Sequence, residues 1–126
     1  MPWVSRARVH VRQEQGALVV VASGDFDADE QDLLPPVWDE ADERALPVTV
    51  LDLSAVTFGD SSLLDALLKA RRRHLAARRR LVIIGPLQPG ILLLLTVTRV
   101  VEHFEIADSL TAALDRGAQP GGTAVN

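Results

Sequence analysis

The stretch Val48–Leu68 constrains the fold more than any other part of the chain. It opens with Val48–Leu51, a largely apolar run rich in β-branched residues, which is typical of a strand buried on both faces. From Leu63 onward the apolar residues recur at helical spacing. Asp60–Ser62 therefore stands where a loop after a strand enters a helix. Two hydroxyls and a carboxylate there lie at the positive end of a helix dipole, which makes this the first place to look for function.

Strands and helices alternate along the rest of the chain. The predicted strands are Val9–Val11, Leu18–Val21, Val48–Leu53, Leu81–Ile84 and Phe104–Ile106. The first two form a hairpin through Gln15-Gly16, and Ser23–Asp27 is expected to end the second strand. This order predicts an α/β fold with a mixed, mostly parallel sheet of four to five strands and about four helices. Helices on one face of the sheet or on both are compatible with it.

Each predicted helix has a recognisable start. The first is acidic and is interrupted by Pro35-Pro36, so it either kinks there or begins near Pro35. The second runs from about Ser61 to Ala77, the third follows Pro89, and Asp108 or Ser109 caps the fourth. The expected inward stripe of the second helix is Leu64, Leu67, Leu68 and Leu75.

Length and composition indicate one cytoplasmic domain. The 126 residues fit a single domain over residues 1–116 with a flexible tail at residues 117–126. No apolar run of about twenty residues could span a membrane, and the first residues lack the features of a signal peptide. Zero cysteines exclude disulfides and thiol chemistry. The net charge of −4 argues against nonspecific nucleic-acid binding.

The charges are distributed unevenly. Asp25–Glu43 carries nine acids and no base, whereas Lys69–Arg80 carries seven bases and no acid. We interpret these runs as the solvated faces of two helices, with a field that steers a partner as the alternative. The arginine runs lack interleaved aromatic residues, which favours a solvated face over an RNA site.

Several kinds of site have no sequence signal. His10, His74 and His103 are scattered without ligand spacing, so no metal site is expected. Ser61 has no histidine partner and no Gly-x-Ser-x-Gly elbow, which argues against a hydrolase. A glycine-rich phosphate loop is also missing. The chain is therefore predicted to be no enzyme and to use no cofactor.

Three segments carry a resemblance to a known family. Gly24–Asp27 is similar to the Gly-Glu-Leu-Asp turn of STAS domains, specifically of the bacterial anti-sigma factor antagonists. Leu51–Ser62 resembles the signature Asp-Leu-Ser-x-Val-x-Phe-x-Asp-Ser-[Ser/Thr] of that family, and Thr96–Leu110 resembles its closing helix, strand and helix. The resemblance extends from Val9 to Leu114 and implies the STAS fold.

The resemblance also implies a partner switch. In this family the dephosphorylated antagonist binds an anti-sigma factor that is a serine kinase, and thereby releases a sigma factor. Phosphorylation ends the binding, and a metal-dependent, PP2C-type phosphatase restores it. The family's phosphoacceptor falls on Ser61, although the residue pattern alone also allows Ser61 or Asp60 to be simply an N-cap. The implied partner-binding residues are Asp25, Asp27, Asp60, Ser61, Ser62 and Leu63.

The chain departs from the family at several glycines. The family usually continues Gly-Leu-Gly after the two hydroxyl residues, but Leu63–Asp65 follows here. Arg78-Arg79 and Arg99 stand where glycines are common after the second and third helices. These losses favour an alternative, a STAS scaffold or accessory subunit of a stress-sensing or lipid-transport complex without phosphorylation. The intact Asp60–Ser62 favours the antagonist.

The third helix is apolar all round. Ile91–Leu95 followed by Val97 leaves it no polar face, whereas one small domain can cover only one side of such a helix. Leu92 and Leu93 are therefore expected to form an exposed patch that contacts a second copy of the chain or a partner. The alternative is that the helix is buried on both sides within one chain.

Overall fold

The computed structural model describes residues 7–26 and 33–117. Within these residues a hairpin is followed by alternating helices and strands. The strands are β1 (Arg8–Glu14), β2 (Ala17–Phe26), β3 (Val48–Gly59), β4 (Arg80–Ile84) and β5 (Glu105–Ala107). The helices are α1 (Pro35–Arg44), α2 (Ser61–Ala76), α3 (Pro89–Val97) and α4 (Leu110–Gly117), with a 3-10 turn at Val100–His103 before β5.

The strands lie in one sheet in the order β1-β2-β3-β4-β5. β1 and β2 are antiparallel, and the remaining neighbours are parallel. The hairpin turns at Gln15 and Gly16, whose φ angles are 50° and 80°. Two positive φ angles in a two-residue loop match the twist of the flanking strands. The predicted mixed, mostly parallel α/β sheet is confirmed.

Alternating side chains on the central strands divide the core between the two faces of the sheet. Leu51 of β3 and Ile83 of β4 belong to the larger cluster, which includes buried residues of α1, α2 and α3. Val50 and Val82 belong to a smaller cluster with Ala113 of α4. Three helices therefore cover one face of the sheet and α4 lies against the other.

β2 and β3 are longer than their sequence pattern predicts. β2 was expected to span Leu18–Val21 and to be terminated by the segment Ser23–Asp27, but it continues through most of that segment to Phe26, with register shifts at Val21/Ser23 and Gly24/Asp25. Such bulges let a strand continue past residues that interrupt its apolar pattern. β3 likewise continues beyond Leu53 to Gly59. The expected end of β2 was therefore wrong.

The ends of the helices follow the predicted signals. α1 begins at Pro35, which is one of the two arrangements that the prolines allowed. The Ser109 hydroxyl accepts a hydrogen bond from Ala112 N at 3.1 Å and so caps α4. Gly117 is the last residue of α4, and the rest of the predicted tail lies outside the described residues. None of the described helices is long and apolar enough to cross a lipid bilayer.

The buried face of α2 differs from the predicted stripe. Leu67 is buried as expected, but Leu75 is 59% exposed. The buried residues of α2 are Leu63, Ala66, Leu67, Ala70 and His74. His74 is tolerated there because both ring nitrogens have partners, since Nδ1 lies 2.7 Å from Ala70 O and Nε2 lies 2.8 Å from Thr49 Oγ1. A carbonyl can only accept, so Nδ1 donates to Ala70 and Nε2 accepts from the Thr49 hydroxyl.

Candidate functional site

The long ends of β2 and β3 form one side of the candidate site. Asp25 pairs with Phe58, and Phe26 pairs with Gly59, immediately before the loop into α2. The Thr57 hydroxyl donates a hydrogen bond to the Asp25 carboxylate across the two strands. Asp25 is therefore close to the start of α2 because both strands extend beyond the rest of the sheet. Because the sequence pattern predicted an earlier end for β2, it did not predict this proximity of Asp25 to α2.

Asp60 is the N-cap of α2. Its backbone is extended, with φ −125° and ψ −159°, and its carboxylate accepts a hydrogen bond from Ser62 N at 2.8 Å. Its carbonyl accepts from Leu63 N at 3.0 Å and from Leu64 N at 3.2 Å. Of the two residues that could have been the cap, Asp60 has that role and Ser61 does not.

Ser61 is the first residue of α2, and its side chain is exposed. Within the part of the chain that the structure describes, its hydroxyl has no hydrogen-bond partner. The first N–H groups of a helix and its dipole favour a negative group at this position. A hydroxyl that is exposed and needed for no internal contact can be modified without the loss of a stabilising interaction.

Leu63 lies in the core and does not reach the surface. It is 2% exposed and packs against Gly59. A Cβ atom at Gly59 would lie 2.3 Å from Leu63 Cδ2, so the leucine occupies space that only glycine leaves free. The assignment of Leu63 to the partner-binding set is therefore corrected, because a buried side chain cannot contact a partner directly. Asp27, from the same set, lies outside the described residues.

An apolar groove adjoins the start of α2. It has a volume of about 290 Å³ and runs between the end of β3 and α3. Phe58 is 50% exposed, Leu93 62% and Val97 67%. Gly59 also lines the groove and is followed directly by Asp60. The groove therefore reaches the end of β3, two residues before Ser61 in the chain, and we name it the Phe58–Val97 groove.

The outer face of α3 is exposed as the sequence predicts. Ile91 and Leu95 are buried against the sheet, at 1% and 0% exposed. Leu92 is 46% exposed and Leu93 62% exposed. The alternative in which α3 is buried on both sides is therefore wrong within the described residues. Whether the patch contacts another molecule stays a prediction.

In the part of the site that the structure describes, there are acidic and hydroxyl groups but no arrangement for metal binding. Asp25 and Asp60 are half-buried, Ser61 is exposed and Ser62 is half-buried. No group of three or more His, Asp or Glu side chains in residues 7–26 and 33–117 is placed to hold a metal ion. What the site offers is a free hydroxyl at a helix start, beside two carboxylates and an apolar groove.

Comparisons with known proteins give a consistent picture. Residues 9–108 match the family described as "Mlab, STAS domain". A crystal structure of an anti-sigma factor antagonist from Mycobacterium paratuberculosis is 21% identical, with a TM-score of 0.78 over 90% of this chain and 96% of that one. The Bacillus cell fate determinant SpoIIAA in its phosphorylated form is 17% identical, with a TM-score of 0.66 over 86% and 98%. RsbS from Moorella thermoacetica, as a variant, is 18% identical, with a TM-score of 0.75 over 92% and 99%.

No curated protein matches the chain by sequence. At these identities the structural likenesses show the fold, while the family match rests on the sequence itself.

Proposed function

The chain belongs to the STAS domain family, and we therefore propose that it is an anti-sigma factor antagonist in a phosphorylation-controlled partner switch. In this proposal the unmodified chain binds an anti-sigma factor that is also a serine kinase, and a sigma factor is released. Phosphorylation of Ser61 ends the binding, and a PP2C-type phosphatase reverses the modification. The chain is thus a substrate of two enzymes and acts in the cytoplasm.

The observation that carries the proposal is the state of the Ser61 hydroxyl. It is exposed at the first position of α2, and the capping role belongs to Asp60. A kinase can therefore reach the hydroxyl without unfolding the helix. The product adds about −1.5 to −2 charges beside Asp25 and Asp60, at a helix end that tolerates negative charge.

The modification would be read as charge and bulk at the surface. SpoIIAA has been solved in an unphosphorylated and a phosphorylated form, and this chain aligns with each at a TM-score of 0.66. In this proposal the fold stays the same, because the phosphate is added at a helix start that tolerates negative charge. The partner would then lose affinity because it meets a dianionic group at the position of a neutral hydroxyl.

The proposed partner surface combines polar and apolar parts. Asp60 and Ser62 flank Ser61 in the chain, and Asp25 lies on the neighbouring strand opposite Phe58. The Phe58–Val97 groove provides the apolar area that a specific interface needs. Leu92 and Leu93 extend this area along α3.

Phosphotransfer to the isolated chain tests the proposal. The chain is incubated with ATP and a candidate anti-sigma kinase from the same organism, and the modified residue is mapped by mass spectrometry. We expect one phosphate, on Ser61, and none on Ser61→Ala. Ser62→Ala is the matched control and should be modified like the wild type. Modification only at Ser62, or of neither residue by any candidate kinase, would contradict the proposal and favour the scaffold alternative.

A further inference from the structure

A cleft opens at the end of the sheet opposite Ser61. It lies between the second half of α2 and the segment that leads from the 3-10 turn into β5, where β4 begins. Its volume is about 440 Å³. We call it the Arg78 cleft. Its lining includes Arg71, Arg78, Arg79, Arg80, Leu75, Leu81 and Phe104.

The apolar part of the Arg78 cleft is built from three side chains. Leu75 of α2 is 59% exposed although it lies beside the cleft. Leu81 of β4 and Phe104 are partly buried and pack against the main core. These residues give the cleft an apolar wall beside its arginines.

The cationic part of the cleft is only partly neutralised, by Glu105 in its lining and by Asp42. Arg80 forms an ion pair with Glu105, and Arg79 forms one with Asp42. Arg71 and Arg78, in contrast, form no ion pair with any described residue. Arg71 uses only Nε, which donates to His103 O at 2.9 Å.

Arg79 adds a second sign of a missing acceptor. Its side chain is 7% exposed, and its Nη1 atom is buried without a hydrogen-bond partner within the described residues. A buried donor of this kind needs an acceptor to offset its lost hydration. The cleft lining thus holds two arginines without an ion pair to a described residue, Arg71 and Arg78, and one buried guanidinium nitrogen without an acceptor, Arg79 Nη1.

The backbone at Arg78 is strained in a way that glycine would relieve. Arg78 has a φ of 58° and follows the end of α2. Its N–H donates to Leu75 O at 3.1 Å, and Arg79 N donates to His74 O at 2.8 Å. This pair of hydrogen bonds is the Schellman motif, in which glycine is preferred at the left-handed position. Such strain concentrates at functional positions, and here it places an arginine in the cleft lining.

We propose that the Arg78 cleft binds a small amphipathic anion, an oxyanion headgroup on a short apolar chain. Arg71 and Arg78 bind the phosphate or carboxylate headgroup, because a planar guanidinium matches two oxygens of such a group. The apolar chain packs against Leu75, Leu81 and Phe104. The site is separated from Ser61 by the length of the sheet, so it does not depend on the proposed partner switch.

Isothermal titration of the full chain tests the site with four probes: hexyl phosphate, hexanoate, inorganic phosphate and hexanol. We expect at least one of the two amphiphiles to bind saturably, with one molecule per chain. Inorganic phosphate should bind at least about tenfold more weakly, because it lacks the alkyl chain and burial of two methylenes alone accounts for about that factor. Hexanol should also bind at least about tenfold more weakly, because it lacks the oxyanion and forms no charge-assisted hydrogen bonds with the arginines. The stronger amphiphile identifies the headgroup.

Two matched glycine substitutions separate the site from general charge. Arg78→Gly should weaken amphiphile binding by about tenfold, the loss of one charge-assisted contact, while its melting temperature stays at or above that of the wild type. Arg99→Gly removes an arginine with a similar φ of 61° that does not line the cleft, and should bind like the wild type. Arg71→Gln and Leu75→Gln should weaken binding independently of that turn.

Three results would overturn the proposal. The first is that neither amphiphile binds saturably. The second is that inorganic phosphate or hexanol binds as tightly as the amphiphiles. The third is that Arg78→Gly and Arg71→Gln both retain the affinity of the wild type.

Discussion

Neighbouring residues at the start of α2 have separate roles. Asp60 caps the helix through Ser62 N, whereas Ser61 contributes its hydroxyl to no contact among the described residues. A cap residue stabilises a helix by about 1 kcal/mol, so Asp60 is part of the fold. Ser61 is free to serve as a signal.

Ser61→Asp is expected to affect binding without affecting stability. A carboxylate at a helix start is tolerated, so the free energy of unfolding should change by less than about 0.5 kcal/mol. Binding to the anti-sigma factor should weaken by at least about tenfold, because a charge meets a surface that fits a neutral hydroxyl. Thermal melts and a binding titration on the same samples measure both. Ser61→Asn is the control, because asparagine has the size of aspartate without its charge, and this variant should keep most of the affinity. A large loss of stability in either variant would show that Ser61 is structural.

Gly59 and Leu63 are expected to be energetically coupled. Gly59→Ala would place a Cβ atom 2.3 Å from Leu63 Cδ2, and such overpacking costs about 1–3 kcal/mol. Leu63→Ala removes the clashing atoms, so the double variant should lose less than the sum of the single variants, by at least about 0.5 kcal/mol. Urea unfolding of the four proteins gives this cycle.

The control for that cycle is Gly90→Ala. A Cβ atom at Gly90 meets nothing within 4 Å, so this change in α3 should be neutral or stabilising. If Gly59→Ala behaved in the same way, the close approach to Leu63 would not matter.

At the scale of elements, α1 and α2 pair opposite charges across their exposed edges in addition to sharing the apolar core. Arg73 Nε donates to Asp42 at 3.0 Å, and Arg73 Nη2 donates to Asp39 at 2.9 Å. Arg79 also forms an ion pair with Asp42. The acidic run and the basic run of the sequence therefore pair partly with each other. The interpretation as two solvated faces missed this contact, because it appears only when the helices are adjacent.

The outer face of α3 provides the next prediction. Leu92→Lys combined with Leu93→Glu should weaken binding to the anti-sigma factor, or reduce the mass of a homodimer, because both side chains are exposed and Leu93 lines the Phe58–Val97 groove. Stability should change little, since neither side chain is in the core. A binding titration and light scattering measure the two outcomes. Leu75→Glu, at a leucine 59% exposed on α2, is the matched control.

The patch would have no interface role under one pair of results. These are a monomeric wild type and a double variant that binds the anti-sigma factor as tightly as the wild type does.

At the scale of the whole molecule, His74 couples stability to pH. It joins α2 to the sheet through Thr49. Burial lowers the pKa of His74 from the ordinary value of 6.5, and the charges of Arg79 and Arg73 lower it further. The hydrogen bond to Ala70 acts in the opposite direction and raises it. Below pH 6.5 the unfolded chain binds a proton that the folded chain does not. Stability is therefore complete above pH 6.5 and is lost as the pH falls toward the lower folded pKa.

The expected slope of the free energy of unfolding in this window approaches about 1.4 kcal/mol per pH unit. Urea unfolding curves, recorded from pH 7.5 to 4.5 at intervals of about half a pH unit, measure this slope. His74→Gln should lose this slope relative to the wild type, whereas His10→Ala, at an exposed position on β1, should keep it. Equal slopes in all three proteins would show that His74 does not carry the effect.

Local signals in the sequence determined the elements and the candidate site. The β-branched run Val48–Leu51 predicted a buried strand, Pro35 predicted a helix start, and Asp60–Ser62 predicted the entry into α2. Each of these signals acts over a few residues through backbone sterics, capping or side-chain spacing, so it can be read without knowledge of the neighbours.

Only the tertiary structure decided which residues share a surface. It extended β2 by bulges so that Asp25 lies beside the start of α2, and it left Leu75 exposed while His74 is buried. It also placed Leu63 in the space left by Gly59. In each case the outcome depends on what lies opposite the residue, such as a paired strand, a hydroxyl on the sheet or a missing Cβ atom. Such contacts join positions that local sequence patterns do not pair, and they exist only in the packed molecule.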